Sequence, residues 1–374
     1  MKIGFDYQSA AGRGGNARYT RELVRHLANL LPPKHELYLY DFVHDLRKQA
    51  QLPSGKHIHH RFAYLTPPYA PSGIQGFNDW VTHVLGRLDQ LDVFHFTNPN
   101  NMISGSYNAV VTVHDLSTLT QKDFAKSESR QIFEHKLPRI LNDARAIIAV
   151  SEHTKRNLVE RCGADAEKIT VIYEAADGRF YPEPDIQISA RFGVSRFVLY
   201  AGQLQPRKNI VSLISSFAAV HKHYPTVSLV LVGRTRDEMY AREVQDAVVE
   251  NHLQDAVVFA GGVDDVTLRK LYSTAECFVY PSLFEGFGLP PLEAMQCGAP
   301  VVVSNSTSLP EVVGDAGILV DPHSIESIAE AIEHVLGDSL FRENLRITAL
   351  ARSHMFSWEK AAHETIRLHE SLCP

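Results

Sequence analysis

Short apolar runs alternate along the chain with longer stretches whose apolar positions recur every three to four residues. The runs Lys2–Tyr7, Glu36–Tyr40, Val93–Phe96, Ala109–Val113, Ala146–Val150 and Lys168–Tyr173 read as strands of the first half. Between the first two, Leu23, Leu27 and Leu30 fall on one face of a helix expected over about Arg18 to Leu31. The second half is a cleaner alternation, with strands expected at Phe197–Ala201, Ser228–Val232, Val257–Ala260, Cys277–Tyr280, Val301–Ser304 and Ile318–Val320. One intervening helix carries Leu213, Phe217 and Val220, and the last helices include Ile325–Leu336 and a segment after Trp358. Strands separated by helices predict parallel sheets joined by right-handed crossovers, an α/β chain. Asp177–Pro182 followed by Pro184 reads as a linker between two halves. Residues 50–90 are the least legible. Pro67, Pro68, Pro71, Gly73 and Gly76 suggest an extended loop, and Phe77–Leu85 an amphipathic helix that packs on the sheet or forms a substrate- or membrane-contacting surface.

Composition narrows the class. A chain of 374 residues exceeds what one core usually supports, so two domains are expected. An apolar fraction of 44% fits a globular enzyme and argues against disorder. The net charge of −6 offers no basic excess for counterion release, so no nucleic-acid partner is expected. Cys162, Cys277, Cys297 and Cys373 lack CxxC spacing and read as reduced thiols. Met1-Lys2 passes directly into a strand, without a signal-peptide core, and no apolar run reaches the roughly 18–20 residues needed to span a bilayer. A soluble, cytoplasmic chain is the expectation.

The most informative stretch for chemistry runs from Pro281 to Met295. It joins the strand at Cys277–Tyr280 to a helix expected from Leu289 towards Gly298, with Pro290 and Pro291 suited to its first turn. Gly286 and Gly288 permit close backbone approach to a ligand, and the amides of Phe287, Gly288 and Leu289 would point at it. Glu285 precedes this turn and Glu293 lies about two helical turns beyond. At another strand-to-helix junction, Arg207-Lys208 joins fixed positive charge to helix-start amides, an arrangement suited to phosphate; a charged surface turn is the plainer alternative. His114 and Asp115 close the strand Ala109–Val113, at the carboxyl edge where open α/β sheets bind ligands. A histidine here can also cap the sheet, and Asp115 can cap the following segment. Near the amino end, Gly12-x-Gly14-x-x-Ala17 formally matches a dinucleotide fingerprint. An NAD-dependent oxidoreductase using that loop is therefore the rival reading, and a non-catalytic nucleotide-sugar binder a third. No His, Cys or Asp cluster has metal-site spacing, so no metal and no cofactor is expected.

EGFGLPPLEAM, with Glu285 and Glu293 separated by seven residues, resembles the signature of the retaining glycosyltransferases of family 4. The resemblance continues through FAGGVDDVTLRKLYSTAECFVYPS upstream and CGAPVVVSNSTSLPEVVGDAGILVDP downstream, and more loosely through the first half. It implies the GT-B fold: two Rossmann-like domains facing each other across a cleft, with a last helix crossing back to the first domain. The expected division is 1–182 for acceptor binding, 183–355 for the donor, and 356–374 for the returning helix. It also implies a nucleotide-sugar donor, with Glu285 on sugar hydroxyls, Phe287, Gly288 and Leu289 supplying amides, Glu293 on the ribose diol, and Arg207 and Lys208 on the diphosphate. His114 would face the donor sugar, and Gly14 and Gly15 would belong to the loop that closes over the donor. Val263 and Arg234 lie where relatives hold the base, although Arg234 reads equally as solvated. Glu311 would touch donor or cap a helix. Where many members carry arginine directly after the glycine, this chain has Gln203. The GGNARYTREL and LQPRKN stretches resemble bacterial polysaccharide mannosyltransferases, which implies GDP-mannose, a saccharide or lipid-linked saccharide acceptor, and peripheral contact with the inner membrane surface.

Overall fold

The computed structural model describes residues 1–12, 14–41, 53–62, 86–102, 108–120, 127–235 and 237–373. The loop and helix expected within 63–85 lie outside the described residues, as does Arg13. The chain divides into two compact units, one of Met1–Glu174 with Ser357–Pro374 and the other of Ala175–Phe356.

The first unit is built on a parallel sheet. Its described strands are β1 (Lys2–Asp6), β2 (Glu36–Asp41), β3 (Ile58–Phe62), β4 (Val93–Phe96), β5 (Asn108–Val113), β6 (Ala146–Ala149) and β7 (Ile169–Val171), in the order β3-β2-β1-β4-β5-β6-β7. Strand direction reverses its lateral progress between β1 and β4, which are paired. β1 and β4 are almost wholly buried, as expected for parallel strands covered on both faces. β3, with the sequence IHHRF, is a strand that its polar residues had concealed; it lies at the sheet's edge, where such residues are tolerated. The first helix runs from Gly15 to Leu30, three residues ahead of the expected start at Arg18. The helix at Ser127–Asp143 tolerates Pro138 in its interior. Ser151 caps Glu152–Cys162 by accepting from the Thr154 amide at 3.0 Å.

The helix Trp358–Ser371 packs in the first unit against Gly15–Leu30. Trp358 meets the Tyr19 ring edge-on at 5.7 Å, and His369 lies 5.9 Å from Phe5 and 5.2 Å from His95. His369 is fully buried, and among the described residues neither of its ring nitrogens finds a hydrogen-bond partner.

The second unit repeats the plan with β8 (Arg196–Ala201), β9 (Val227–Val232), β10 (Val257–Gly261), β11 (Cys277–Tyr280), β12 (Val301–Ser304) and β13 (Ile318–Val320). Their order is β10-β9-β8-β11-β12-β13, and every pairing is parallel. The segment read as a linker joins this unit: Phe180 is fully buried in its core, and the Gln296 amide donates to the carbonyls of Asp177 at 3.2 Å and Phe180 at 2.7 Å. Among the described residues no helix is long and apolar enough to cross a membrane.

Burial pulls the His369 pKa down from 6.5 to about 3, so the folded chain resists a proton that the unfolded chain accepts. Its contribution is fully present above pH 6.5 and is lost as pH falls towards 3. His369→Phe should therefore remove about 2 kcal/mol of the stability lost between pH 7 and pH 5, seen as a smaller shift of the urea midpoint than in the unaltered chain.

Candidate active site

In open parallel sheets, ligands settle at the carboxyl ends of strands where the strand order reverses, because the loops there diverge and leave a crevice. In the second sheet that point lies between β8 and β11. The loops leaving these two strands carry Arg207-Lys208 and Glu285.

The loop after β8 is drawn tight by its neighbours. A Cβ on Gly233, whose φ is +142°, would stand 1.8 Å from the Gly202 carbonyl oxygen, so both backbone strands need glycine at Gly233. The Gly202 amide donates to Val232 at 3.0 Å, the Gly233 amide to Gly261 at 2.8 Å, and the Leu204 amide to Arg234 at 3.1 Å. Three successive loops are stitched together in this way. A single 3₁₀ turn then spans Pro206–Lys208, and Asn209 adopts φ +61° before the helix Ile210–His223.

The loop after β11 locks onto that turn. Leu283 donates its amide to the Arg207 carbonyl at 2.8 Å, and the Ser282 hydroxyl oxygen lies 3.1 Å from that carbonyl oxygen. Arg207 returns a bond from Nη1 to the Phe284 carbonyl at 2.9 Å. The Lys208 ammonium, only 5% exposed, donates to the Tyr280 hydroxyl at 2.5 Å and to Glu285 Oε1. The same oxygen accepts from Ser282 at 2.5 Å, while Arg207 Nη1 reaches Oε2 at 3.4 Å. Burial alone would raise the Glu285 pKa, but the Lys208 and Arg207 charges and the hydrogen bonds from Lys208 and Ser282 outweigh it. The carboxyl therefore titrates below its ordinary range and is ionised at neutral pH. Read separately from the sequence as a phosphate cation and a sugar-binding acid, Lys208 and Glu285 are one buried ion pair.

Beyond Glu285 the chain turns into the helix Leu289–Gln296, with Gly288 at its start in a φ of +120°. A Cβ at Gly288 would approach Leu309 Cδ2 to 2.8 Å. The Ser308 hydroxyl lies within hydrogen-bonding distance of the Glu285 and Phe287 carbonyls, at 3.1 and 2.7 Å. Phe287 and Leu289 are buried, and Glu293 is buried on the helix. Val263 is half-buried against the core, whereas Arg234 is exposed beside Gly262. Glu311 lies in the short helix Leu309–Val313, where its carbonyl accepts from Arg352 at 2.7 Å.

The first unit has its own polar edge, at the reversal between β1 and β4. Asp6, buried at the end of β1, accepts from the Asn101 amide at 2.7 Å, and the Thr97 hydroxyl donates to the Asp6 carbonyl at 3.2 Å. Burial raises the Asp6 pKa to about 6, against the opposing hydrogen bond from Asn101. Arg21 clasps the carbonyls of Ala10 and Gly12, at 2.6 and 3.2 Å, which holds the glycine-rich loop. Gly14 and Gly15 are exposed where that loop enters the first helix, Gly14 with φ +112°. His114, at the end of β5, bonds through Nδ1 to Glu174 at 2.9 Å and through Nε2 to the Thr97 carbonyl at 3.0 Å. Asp115 accepts from the amide and hydroxyl of Ser117, at 2.9 and 2.6 Å, so it caps the segment that follows. Asp6, Asn101, Glu174, Tyr280 and Ser282 were not singled out by the sequence reading. Their positions at or just beyond strand ends were the available signal.

A family model described as "Glycosyl transferases group 1" matches residues 183–352, and one described as "Glycosyltransferase Family 4" matches residues 13–178. O-antigen chain mannosyltransferase B of Escherichia coli is 34% identical over 276 residues, which cover 71% of this chain and 70% of that protein. Serotype-specific mannosyltransferase WbdA, also of Escherichia coli, is 33% identical over 70% of this chain, but the match spans about a third of WbdA, 33% of its length. Among solved structures, a sucrose-phosphate synthase from Thermosynechococcus elongatus superposes with a TM-score of 0.80 at 22% identity, covering 100% of this chain and 99% of that one. Anabaena HepE in complex with UDP and glucose superposes with a TM-score of 0.76 at 20% identity, covering 99% of each chain. These neighbours share the GT-B glycosyltransferase fold.

Removing one partner of a buried ion pair strands the other. Lys208→Met should destabilise the second unit by about 3–5 kcal/mol, and adding Glu285→Gln should recover at least half of that loss, as read from denaturant midpoints.

Proposed function

Because this chain belongs to the glycosyltransferases of group 1 and family 4, we propose that it transfers a hexose, mannose from GDP-mannose, to a saccharide or lipid-linked saccharide. The observation that carries this reading furthest is the Arg207–Lys208–Glu285 network at the reversal point of the second sheet. Its two cations suit a diphosphate, and its carboxylate suits the hydroxyls of the attached sugar. The mannosyl assignment draws on the O-antigen relative, and a lipid-linked acceptor would bring the enzyme to a membrane surface as a peripheral protein.

Bond breaking leaves a nucleoside diphosphate on one side and an oxocarbenium-like sugar on the other. Negative charge grows on the departing phosphate oxygen, so donors fixed beforehand favour the transition state over the ground state. Arg207, whose side chain is 23% exposed, is the more accessible cation, and Lys208 acts from behind it through a buried position. Phe287, Gly288 and Leu289 would supply amides at the start of their helix, Glu293 would accept from the ribose diol, and Val263 and Arg234 would border the base. In the first unit, Gly14, Gly15 and His114 are the groups proposed to meet ligand. For retention, the acceptor hydroxyl attacks the anomeric carbon on the face the diphosphate leaves. The C–O bond to phosphate breaks with its electron pair, and the freed phosphate oxygen takes the hydroxyl proton.

GDP-mannose should raise the melting temperature more than UDP- or ADP-sugars in a thermal-shift panel, with NADH, the ligand of a dinucleotide enzyme, giving no shift. A larger shift with a UDP-sugar would reassign the donor. Glu285→Gln keeps the shape but loses the charge and turns one of the two acceptor oxygens into a donor. Because it strands the buried Lys208 ammonium it should lower the melting temperature, and at a temperature where circular dichroism shows it folded it should lower turnover by about 100-fold or more; near-normal turnover would remove Glu285 from the chemistry.

A further inference from the structure

In the first unit, His114 leaves the end of β5 with both ring nitrogens against acceptors. Glu174 Oε1 stands 2.9 Å from Nδ1, and the Thr97 carbonyl oxygen 3.0 Å from Nε2. A backbone carbonyl offers only lone pairs, and an ionised carboxylate likewise only accepts. A neutral imidazole has a single N–H, so beside a carboxylate one of the two contacts would set lone pair against lone pair. The arrangement is satisfied when both nitrogens donate. Glu174 is itself buried, at 5% side-chain exposure against 11% for His114, so little water intervenes.

The other neighbours hold the ring rather than compete for its protons. Tyr19, from the helix Gly15–Leu30, packs edge-to-face at 4.7 Å and 85°. Its hydroxyl lies 3.0 Å from the Thr112 hydroxyl, which in turn lies 2.8 Å from His95 Nε2 on β4. Burial keeps His95 uncharged, because its pKa lies well below the ordinary value. Asp115 follows directly in sequence and adds negative charge nearby.

We infer that Glu174 is the positioning residue of His114: it fixes the plane of the imidazole and holds it doubly protonated, so this strand end carries a standing cation and not a base. The inference rests on the reading that His114 serves sugar transfer. It removes His114 from the candidates for proton abstraction, because both ring nitrogens already carry protons and both N–H groups are engaged. Although burial disfavours its charge, the hydrogen bond and charge of Glu174 prevail, and the His114 pKa is raised above 6.5. The charged state is thus complete at low pH and is lost as pH rises through the folded value.

The test follows the ring and the reaction together. With ¹⁵N-labelled histidine, and His114→Asn to assign the signal, the His114 titration should have its midpoint above 6.5 in the unaltered chain. In Glu174→Gln it should fall by about one pH unit or more, and the alkaline limb of kcat for GDP-mannose should move down with it. Equal midpoints in the two proteins, or a kcat limb that ignores the titration, would overturn the inference. The ring titration needs no substrate. A chain that transfers no sugar from any nucleotide donor, yet shows the shifted midpoint, would sink the transferase reading and uphold the Glu174–His114 coupling. Should Glu174→Gln fail to fold, the unaltered chain decides: a midpoint at or below 6.5 refutes, a higher one supports.

Discussion

Charge buried at the end of a sheet is the constraint from which the second unit's active edge follows. Lys208 and Glu285 are almost wholly withdrawn from water, and Arg207 is partly so. Desolvating such groups costs several kcal/mol each unless geometry and hydrogen bonds offset it. The offset here is a closed set of contacts: Tyr280 and Ser282 satisfy the pair, and the Arg207 carbonyl and guanidinium hold the loop that delivers Glu285. Each loop is therefore shaped by the other's charges. The glycine contact between Gly202 and Gly233 extends the same rigidity to a third loop. Side chains held in this way need not reorder when the charge near them changes.

The two sheets solve the same geometrical problem with different chemistry. Both reverse their strand order next to the strand that begins the unit, β1 in one and β8 in the other. At the second reversal the chain gathers cations and one carboxylate. The first instead gathers hydroxyls, an amide and an acid: Thr20, Thr97, Asn101 and Asp6. Its standing cation, His114, comes from the neighbouring β5. The two edges thus differ in charge: the second is built around cations and a carboxylate, the first around hydroxyls, an amide and an acid.

Much of this was legible in the sequence, because buried parallel strands announce themselves as unbroken apolar runs. Val301–Ser304 and Cys277–Tyr280 needed only that rule, and the Gly–Pro–Glu punctuation after Tyr280 marked the turn. What escaped did so for physical reasons. β3 carries His59, His60 and Arg61, and an edge position lets a strand be half polar. Glu174 and His114 are distant along the chain, and only the packing of β5, β6 and β7 brings them together. The pairing of Lys208 with Glu285 was hidden likewise, since its two halves lie on loops whose adjacency depends on the strand order β8-β11. Sequence identified the residues one at a time, whereas topology decided which of them share a bond.

The assignment of Ser357–Pro374 to the first unit makes that unit discontinuous, with all of Ala175–Phe356 inserted within it. During synthesis the inserted unit is complete before the helix that covers Tyr19 and Phe5 has been made. Until that helix is made, Tyr19 and Phe5 lack the rings of Trp358 and His369 that pack on them, whereas Ala175–Phe356 already has its whole sequence. The unit that holds residue 1 is thus completed after the unit inserted within it.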